Sequence, residues 1–331
     1  KGDAMQGLND MLKGRVLELN STLTEKYSQI LKLSRKETRT FVDNHVGQIK
    51  KMSKLDKSQL SLFESKGGIV GVDGSVNKLG GAHPHYVEVY QAIAKSTKYK
   101  DDSVLLADLY TPLDGEVEDN PLEADEHITE NKRNIKLSTI EVDAAIESVI
   151  KHKPYAILMD GGLIRYNINA HDRWMELRNL CEEKGVILVG VIKDIKTSII
   201  GDQIKELDKS IKDTFYDREL LFGTLDYGEM VLISDEANKK GPKGYASVFM
   251  RTSLAPSVIG MDIIDSQRDH IEEMAQLVYT LTPENSRGVP LWLDIVDKEV
   301  LISDDIMRSM MEEYMDRGLY ERFFISERDK R

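Results

Sequence analysis

The sequence predicts an α/β fold in which a mixed sheet is flanked by helices and preceded by a helical arm. Short, apolar and partly β-branched runs at 68–72 and 155–159 have the composition of strands that are buried on both faces. Between them, segments 86–94 and 103–110 alternate in the manner of antiparallel strands. Apolar residues at helical spacing mark the segments that precede and connect these strands. Together these patterns predict a layered α/β domain.

The first predicted element is a helical arm over residues 1–62. Apolar residues recur at helical spacing from residue 5 to residue 65. Residues 1–57 carry 12 Lys or Arg against 7 Asp or Glu, so this segment is basic in a chain whose formal net charge is −12. Residues 63–331 are predicted to form the α/β domain.

The elements of the central region follow in an order that is typical of one fold. They are strands at 68–72, 86–94 and 103–110, a helix at 138–151, a strand at 155–160, a helix at 170–184 and a strand at 186–192. Residues 114–130 hold eight acidic residues and no Lys or Arg, which predicts a solvated loop before the first of these helices. The order β-β-β-α-β-α-β is that of a ribonuclease H-like fold, which needs a mixed sheet with helices on both faces.

Beyond residue 200 the pattern is weaker. It predicts helices at 204–215, 266–281 and 306–317, strands at 229–234 and 246–251, and an extended or packed segment at 291–295. This last segment is expected to bring late polar residues back to the central sheet.

Two aspartates stand at the ends of apolar runs, and each is followed by glycine. Asp73 lies in the segment GVDGS at 71–75, and Asp160 lies in LMDGG at 158–162. A carboxylate is costly to bury unless it is paired or holds a cation, so an Asp at the carboxyl end of a core strand typically faces a cleft. Asp-Gly is also an ordinary turn signal. Two such segments make a metal site our leading hypothesis.

Composition excludes several kinds of function. No apolar run approaches the roughly 18–20 residues that a membrane span needs, and the start of the chain has no signal-peptide pattern. Cys181 is the only cysteine, which excludes an internal disulfide and a cysteine-based zinc site and favours a cytoplasmic setting. The net charge argues against a protein that coats nucleic acid, but binding through divalent cations and one positive groove stays open.

The ordered motifs resemble those of the NurA nuclease family. They are VDGS at 72–75, MDGGL at 159–163, VGVIK at 189–193 and a late GVP at 288–290, so the resemblance covers most of the chain. It implies a ribonuclease H-like fold, a homodimer and manganese-dependent cleavage of DNA, both as a 5′ to 3′ exonuclease and as a single-strand endonuclease. It also implies a partnership with a HerA-type hexameric ATPase in DNA end resection and double-strand break repair.

The resemblance and the chemistry together indicate three candidate metal ligands. Asp73 and Asp160 are the first two, because phosphodiester hydrolysis with Mn²⁺ or Mg²⁺ needs carboxylates that converge from separate elements. In the family a helical Glu ahead of the second Asp supplies a third ligand, for which Glu141 is our candidate. Asp143 and Glu147 on the same predicted helix are alternatives that periodicity does not separate from it.

A lysine follows the last strand of the central region. Lys193 comes directly after the strand at 186–192 and resembles the lysine of the family's fourth motif. At the open end of a sheet, its ammonium group is expected to bind the scissile phosphate or to offset developing charge. Lys196 is a nearby alternative.

The late segment departs from the family pattern. Archaeal members carry a Tyr and, eight positions later, a His, which here fall on Val289 and Asp297. The tyrosine hydroxyl is therefore absent, and Asp297 is the candidate replacement for the imidazole, as a metal ligand or as the group that activates water. Asp294 and Asp304 are competing acids in the same stretch.

The sequence thus predicts a metal-dependent deoxyribonuclease that acts on single-stranded DNA and on duplex ends. The alternative is a catalytically weak structural or DNA-binding partner of the ATPase. Val289 favours this alternative, whereas the retained Asp73 and Asp160 oppose it. The arm over residues 1–62 is expected to serve in dimerisation, in docking of the ATPase or in guidance of DNA.

Overall fold

A computed structural model gives the fold of residues 2–114 and 126–325. These residues form one nine-stranded mixed sheet, in the order β1-β7-β8-β9-β6-β5-β2-β3-β4. The strands are β1 Gly47–Lys51, β2 Ile69–Gly80, β3 Tyr86–Ser96, β4 Val104–Tyr110, β5 Ala156–Asp160, β6 Ile187–Ile192, β7 Glu229–Ile233, β8 Tyr245–Met250 and β9 Ile259–Ile264.

Helices pack against both faces of this sheet. They are α1 Gly2–Lys26, α2 Ser28–Leu31, α3 Arg35–His45, α4 Lys57–Ser65, α5 Glu126–His152, α6 Leu163–Asn169, α7 His171–Lys184, α8 Ile199–Leu207, α9 Asp217–Leu220, α10 Ile271–Leu281, α11 Leu291–Glu299, α12 Asp304–Tyr314 and α13 Arg317–Phe323. Within the described ranges, every helix is too short or too polar to cross a lipid bilayer.

Five strands give the ribonuclease H-like arrangement. β2, β3 and β4 form an antiparallel meander, β5 pairs parallel with β2, and β6 pairs parallel with β5. Along the chain, α5 connects the meander to β5, and α6 and α7 connect β5 to β6. The predicted fold class is confirmed.

Alternate residues of the central strands face two separate hydrophobic cores. Ile69 and Leu158 belong to the core under α10 and α11, whereas Val70 and Ile157 belong to the core under α5 and α7. Successive side chains of a strand point to opposite faces. The odd positions of β2 and the even positions of β5 therefore face α11, and this places the candidate aspartates on that side.

The amino-terminal segment is not helical throughout. The helical pattern predicted over residues 5–65 is wrong at β1, which pairs antiparallel with β7 at one edge of the sheet. β1 has five residues, of which only Ile49 is a large apolar residue. So short a segment shows no periodicity that distinguishes a strand from a helix. The division of the chain at residue 62 stays a prediction.

β2 is longer than its apolar run predicts. The run ends before Asp73, but β2 continues to Gly80 because its antiparallel pairing with β3 extends that far. The parallel pairing with β5 stops at Val72 and Met159. Asp73 therefore lies within a strand rather than at its end, at the point where β2 loses one of its two neighbours.

Other differences fall outside the central region. The helix predicted over 204–215 is wrong after Leu207, where α8 ends. The segment at 291–295 is helical and belongs to α11, and β9 was not predicted. The predicted acidic loop falls largely on residues 115–125, which lie outside the described residues, and α5 already begins at Glu126.

Candidate metal centre

Asp73 and Asp160 lie on neighbouring parallel strands, just beyond the point where these strands stop pairing. The last parallel pair is Val72 with Met159. Each aspartate follows this pair by one residue, so both side chains point to the same face of the sheet. The register of two apolar strands is therefore sufficient to bring the two carboxylates together.

α11 brings Asp297 to the same place by packing closely on β2. Gly71 leaves room for the helix, since a Cβ at this position would lie 3.0 Å from Cδ1 of Trp292. At the other end of the helix, Oγ of Ser75 donates a hydrogen bond to the carbonyl of Val300 at 2.6 Å. These contacts hold α11 over β2 at both of its ends.

Three aspartates converge at this point. One carboxylate oxygen each from Asp73, Asp160 and Asp297 lies within 4.8 Å of the other two. Asp73 is buried, and the other two are half-buried. We refer to these residues as the three-aspartate cluster. A set of carboxylate oxygens from three separate elements has the donor chemistry that Mg²⁺ and Mn²⁺ prefer.

The electrostatics of the cluster also fit a cation. Burial raises the pKa of Asp73 to about 9, and the neighbouring carboxylates of Asp160 and Glu141 add to this effect. Lys193 opposes it, and its ammonium group donates a hydrogen bond to Oδ2 of Asp160. Because burial and the neighbouring carboxylates both disfavour the charge on Asp73, a divalent cation bound here would relieve the repulsion among these acids.

Glu141 lies close to the cluster but is not one of its three members. It reaches β2 from α5, over Gly74, where a Cβ would lie only 2.7 Å from Cγ of Glu141. Its side chain is 1% exposed and accepts a hydrogen bond from the guanidinium of Arg165. Burial raises the pKa of Glu141 to about 7, although the charge of Arg165 acts in the opposite direction. Its role as a metal ligand stays a prediction.

The alternative candidates on α5 and after β6 have other surroundings. Asp143 pairs with Arg173 on α7. Glu147 and Lys196 are exposed. Among the described residues, neither Asp143 nor Glu147 belongs to the three-aspartate cluster.

The late acids also differ in their partners. Arg287 lies 2.6 Å from Oδ1 of Asp294 and 3.4 Å from Oδ2 of Asp297. Asp304 accepts a hydrogen bond from Asn77 at 2.8 Å. Of these three acids, only Asp297 belongs to the cluster.

Two arginines at this site were not among the predicted site residues. Arg165 lies five positions after Asp160, in the first turn of α6. Arg287 directly precedes the GVP segment at 288–290. Their positions beside recognisable motifs were a usable signal, but the sequence around a single arginine does not reveal which carboxylate it contacts.

Comparison with solved structures gives distant likenesses. Endonuclease V of Bacillus subtilis is 16% identical, with a TM-score of 0.41, over 84% of this chain and 92% of that one. The catalytic domain of human endonuclease V is 12% identical, with a TM-score of 0.38, over 84% and 96%. Endonuclease V of Ciona intestinalis, solved in complex with DNA, is 14% identical, with a TM-score of 0.33, over 76% and 96%.

Comparison with curated proteins gives no match. The family model of the NurA domain matches residues 67–302, which extend from the start of β2 to beyond α11. This range contains Asp73, Asp160 and Asp297 together with Glu141 and Lys193. The chain belongs to the NurA family.

Proposed function

We propose that this protein is a metal-dependent DNA nuclease that hydrolyses phosphodiester bonds at the three-aspartate cluster. The observation that carries the proposal is the convergence of Asp73, Asp160 and Asp297 from three separate elements to within 4.8 Å. Membership of the NurA family supports a nuclease. The oxygen-only donor set supports Mn²⁺ or Mg²⁺ as the cofactor.

Each side chain of the site has a part in this proposal. The three aspartates would hold the cation. Glu141 on α5 would add a further negative charge close to it. The chemistry that such a cation supplies is activation of water and stabilisation of the charge on the phosphate. Lys193, 24% exposed beside Asp160, presents its ammonium group to a non-bridging phosphate oxygen and stabilises the charge that develops there.

The finer parts of the proposal come from the family resemblance. They are 5′ to 3′ exonuclease and single-strand endonuclease action, a homodimer, and a HerA-type hexameric ATPase as the partner in DNA end resection in the cytoplasm. In this proposal residues 63–331 are the nuclease domain, and the arm over residues 1–62 serves in dimerisation, docking or DNA guidance. The exposed apolar side chains of α1, such as Leu12 and Val16, support a contact role for the arm.

One observation favours a second candidate, a structural partner of the ATPase with little activity of its own. Val289, at the position where archaeal members carry Tyr, is fully buried in the core under α11. Valine has no hydroxyl group, so the group that archaeal members carry at this position is absent. The presence of Asp297 in the cluster supports the nuclease instead, because this carboxylate lies where a further ligand is needed.

The experiment that tests the proposal is cleavage of end-labelled single-stranded and duplex DNA with Mn²⁺, Mg²⁺ or a chelator. Wild type is compared with Asp73→Ala, with Asp160→Ala and with Asp143→Ala, whose carboxylate pairs with Arg173 instead. We expect metal-dependent cutting that the first two variants lose by about 100-fold or more and the third retains.

Two results would contradict the proposal. Equal cutting by Asp73→Ala and wild type would remove the cluster from the chemistry. No cutting in any metal, even with the cognate ATPase present, would favour the structural partner.

A further inference from the structure

A small cavity adjoins the three-aspartate cluster. Its volume is about 230 Å³, and its lining includes Lys193, Asp194, Arg218, Phe222, Ser257 and Arg287. Pockets for drug-sized ligands have volumes of about 300–1,000 Å³, so the cavity has the scale of one base or one phosphate group and not of a duplex.

Two of the lining residues also contact the cluster. Lys193 donates a hydrogen bond to Asp160, and Arg287 lies 3.4 Å from Asp297. These two side chains therefore border both the cavity and the cluster. If the scissile phosphate of a DNA strand lies at the three aspartates, a flanking nucleotide is the part of the strand that the cavity would receive.

One cation of the cavity is available to a phosphate backbone. Lys193 and Arg287 already pair with Asp160 and with Asp294 and Asp297, which leaves Arg218 among the lining residues. Arg218 lies 3.2 Å from Asp194, but these side chains are 68% and 71% exposed. An ion pair so exposed to solvent contributes little, so Arg218 can exchange Asp194 for a phosphate at small cost.

The cavity also presents an aromatic ring to solvent. Phe222 is 62% exposed and lies two residues beyond the end of α9. Phenylalanine at such a position adds little to the core. An aromatic ring next to cationic side chains is the combination with which proteins bind single-stranded DNA, because every base can stack on it.

We propose that this cavity binds one nucleotide of a single DNA strand, adjacent to the scissile phosphate. Phe222 stacks on the base, and Arg218 contacts the phosphate backbone. Bases inside a duplex are covered on both faces by their neighbours and cannot stack on Phe222, so the site favours a single-stranded segment or a strand end. This inference rests on the proposed function, since it takes the cluster as the point of cleavage.

The test combines a protein variant with a matched change in the substrate. Labelled dT oligonucleotides carry one abasic residue at successive positions around the cleaved bond, and KM and kcat are measured with Mn²⁺. For wild type, we expect one abasic position to raise KM by about fivefold or more, which is the low end of the effect of losing a base–aromatic stack. Phe222→Ala should raise KM by the same factor on intact DNA. For this variant, an abasic residue at the sensitive position should raise KM no further.

Two variants serve as controls. Phe222→Trp, which keeps a stacking surface, should retain the wild-type KM and its sensitivity to the abasic position. Tyr314→Ala removes another exposed aromatic ring, 77% exposed at the end of α12, and should behave as wild type. Because Phe222 is exposed, all variants are expected to unfold at the wild-type temperature.

The outcomes separate this inference from the proposed function. Suppose that wild type cuts DNA and that each abasic residue raises KM equally for wild type and for Phe222→Ala. The nucleotide site is then wrong, whereas the proposed nuclease function is unaffected. If Phe222→Ala keeps the wild-type KM on intact DNA, the site is equally wrong. If wild type cuts no DNA in either metal, the proposed function and this inference fall together.

Discussion

Arg165 on α6 donates a hydrogen bond to the carboxylate of Glu141 on α5, which is 1% exposed. The same guanidinium donates to the hydroxyl of Tyr166 at 2.7 Å and to the carbonyl of Asp160 at 3.3 Å. One arginine thus connects α5, on one face of the sheet, to Asp160 at the end of β5, which is a member of the three-aspartate cluster. The position of Glu141 next to the cluster depends on this contact.

We expect Arg165→Ala to lower the free energy of unfolding by about 2 kcal/mol or more, since it leaves Glu141 buried without its charge partner. Arg173→Ala is the matched control, because Arg173 also pairs with an acid on α5, Asp143, but both side chains are at least 31% exposed. Its cost should stay below about 1 kcal/mol. Urea unfolding measures both values, and equal costs would show that the Arg165 contact is no stronger than a surface pair.

Gly74 supplies the space that Glu141 occupies. A Cβ at residue 74 would lie 2.7 Å from Cγ and 2.8 Å from Oε1 of Glu141. We therefore expect Gly74→Ala to displace this side chain and to cost about 1–3 kcal/mol of stability. It should also reduce DNA cleavage.

Gly14→Ala is the control for this substitution. Nothing lies within 4 Å of a Cβ built at Gly14, which is within α1. In a helix, Ala is more favourable than Gly by up to about 1 kcal/mol, so this variant should be as stable as wild type or more so. A Gly74→Ala protein with wild-type stability and activity would show that Glu141 does not need its present position.

Asp294 and Asp297 offer a matched pair for the metal centre. Both lie on α11 and both contact Arg287, but only Asp297 belongs to the three-aspartate cluster. Loss of even an indirect partner of a metal ligand typically costs 10–100-fold in affinity. We expect Asp297→Asn to raise the Mn²⁺ concentration for half-maximal cleavage by about tenfold or more, and Asp294→Asn to raise it by less than about threefold. Equal effects of the two substitutions in a Mn²⁺ titration would exclude Asp297 as a specific ligand.

The sequence predicts the central part of the site because local patterns determine it. Asp73 and Asp160 each follow an apolar strand, and parallel strands in register place them side by side. Asp297 could be named from its spacing in a motif, but its proximity to the other two depends on how α11 packs on Gly71. Nothing in the local pattern around residue 297 indicates that contact.

Other parts of the molecule depend on contacts that are distant in sequence. β1 pairs with β7, and β9 pairs with β6 and β8. Short strands that are stabilised by such pairing have no distinctive sequence pattern of their own. Periodicity also left Glu141, Asp143 and Glu147 unresolved. Glu141 is buried against Gly74 and Arg165, whereas Asp143 pairs with Arg173. These partners lie on other elements, so the sequence of α5 alone does not reveal them.

The contact between the amino-terminal segment and the sheet should depend on pH. Arg39 on α3 forms two hydrogen bonds with Glu229 at the start of β7, where Glu229 is 12% exposed. The hydrogen bond from Arg39 lowers the pKa of Glu229 below the ordinary value of 4.5. An acid with a lowered pKa in the folded state stabilises the protein above its unfolded pKa, and this contribution is lost as the pH falls through the folded pKa.

We therefore expect Arg39→Ala to cost about 1–2 kcal/mol at pH 7, and the difference from wild type to shrink as the pH falls below 4.5. Glu229→Gln should show the same pH trend, because it removes the titrating group itself. Arg15→Ala is the control, since Arg15 and Glu18 are 77% and 67% exposed and such a pair contributes little at any pH. Urea unfolding at pH 7, 5 and 4 measures the trend. A difference between Arg39→Ala and wild type that stays constant over this range would show that Arg39 stabilises the fold through packing of its alkyl chain and not through Glu229.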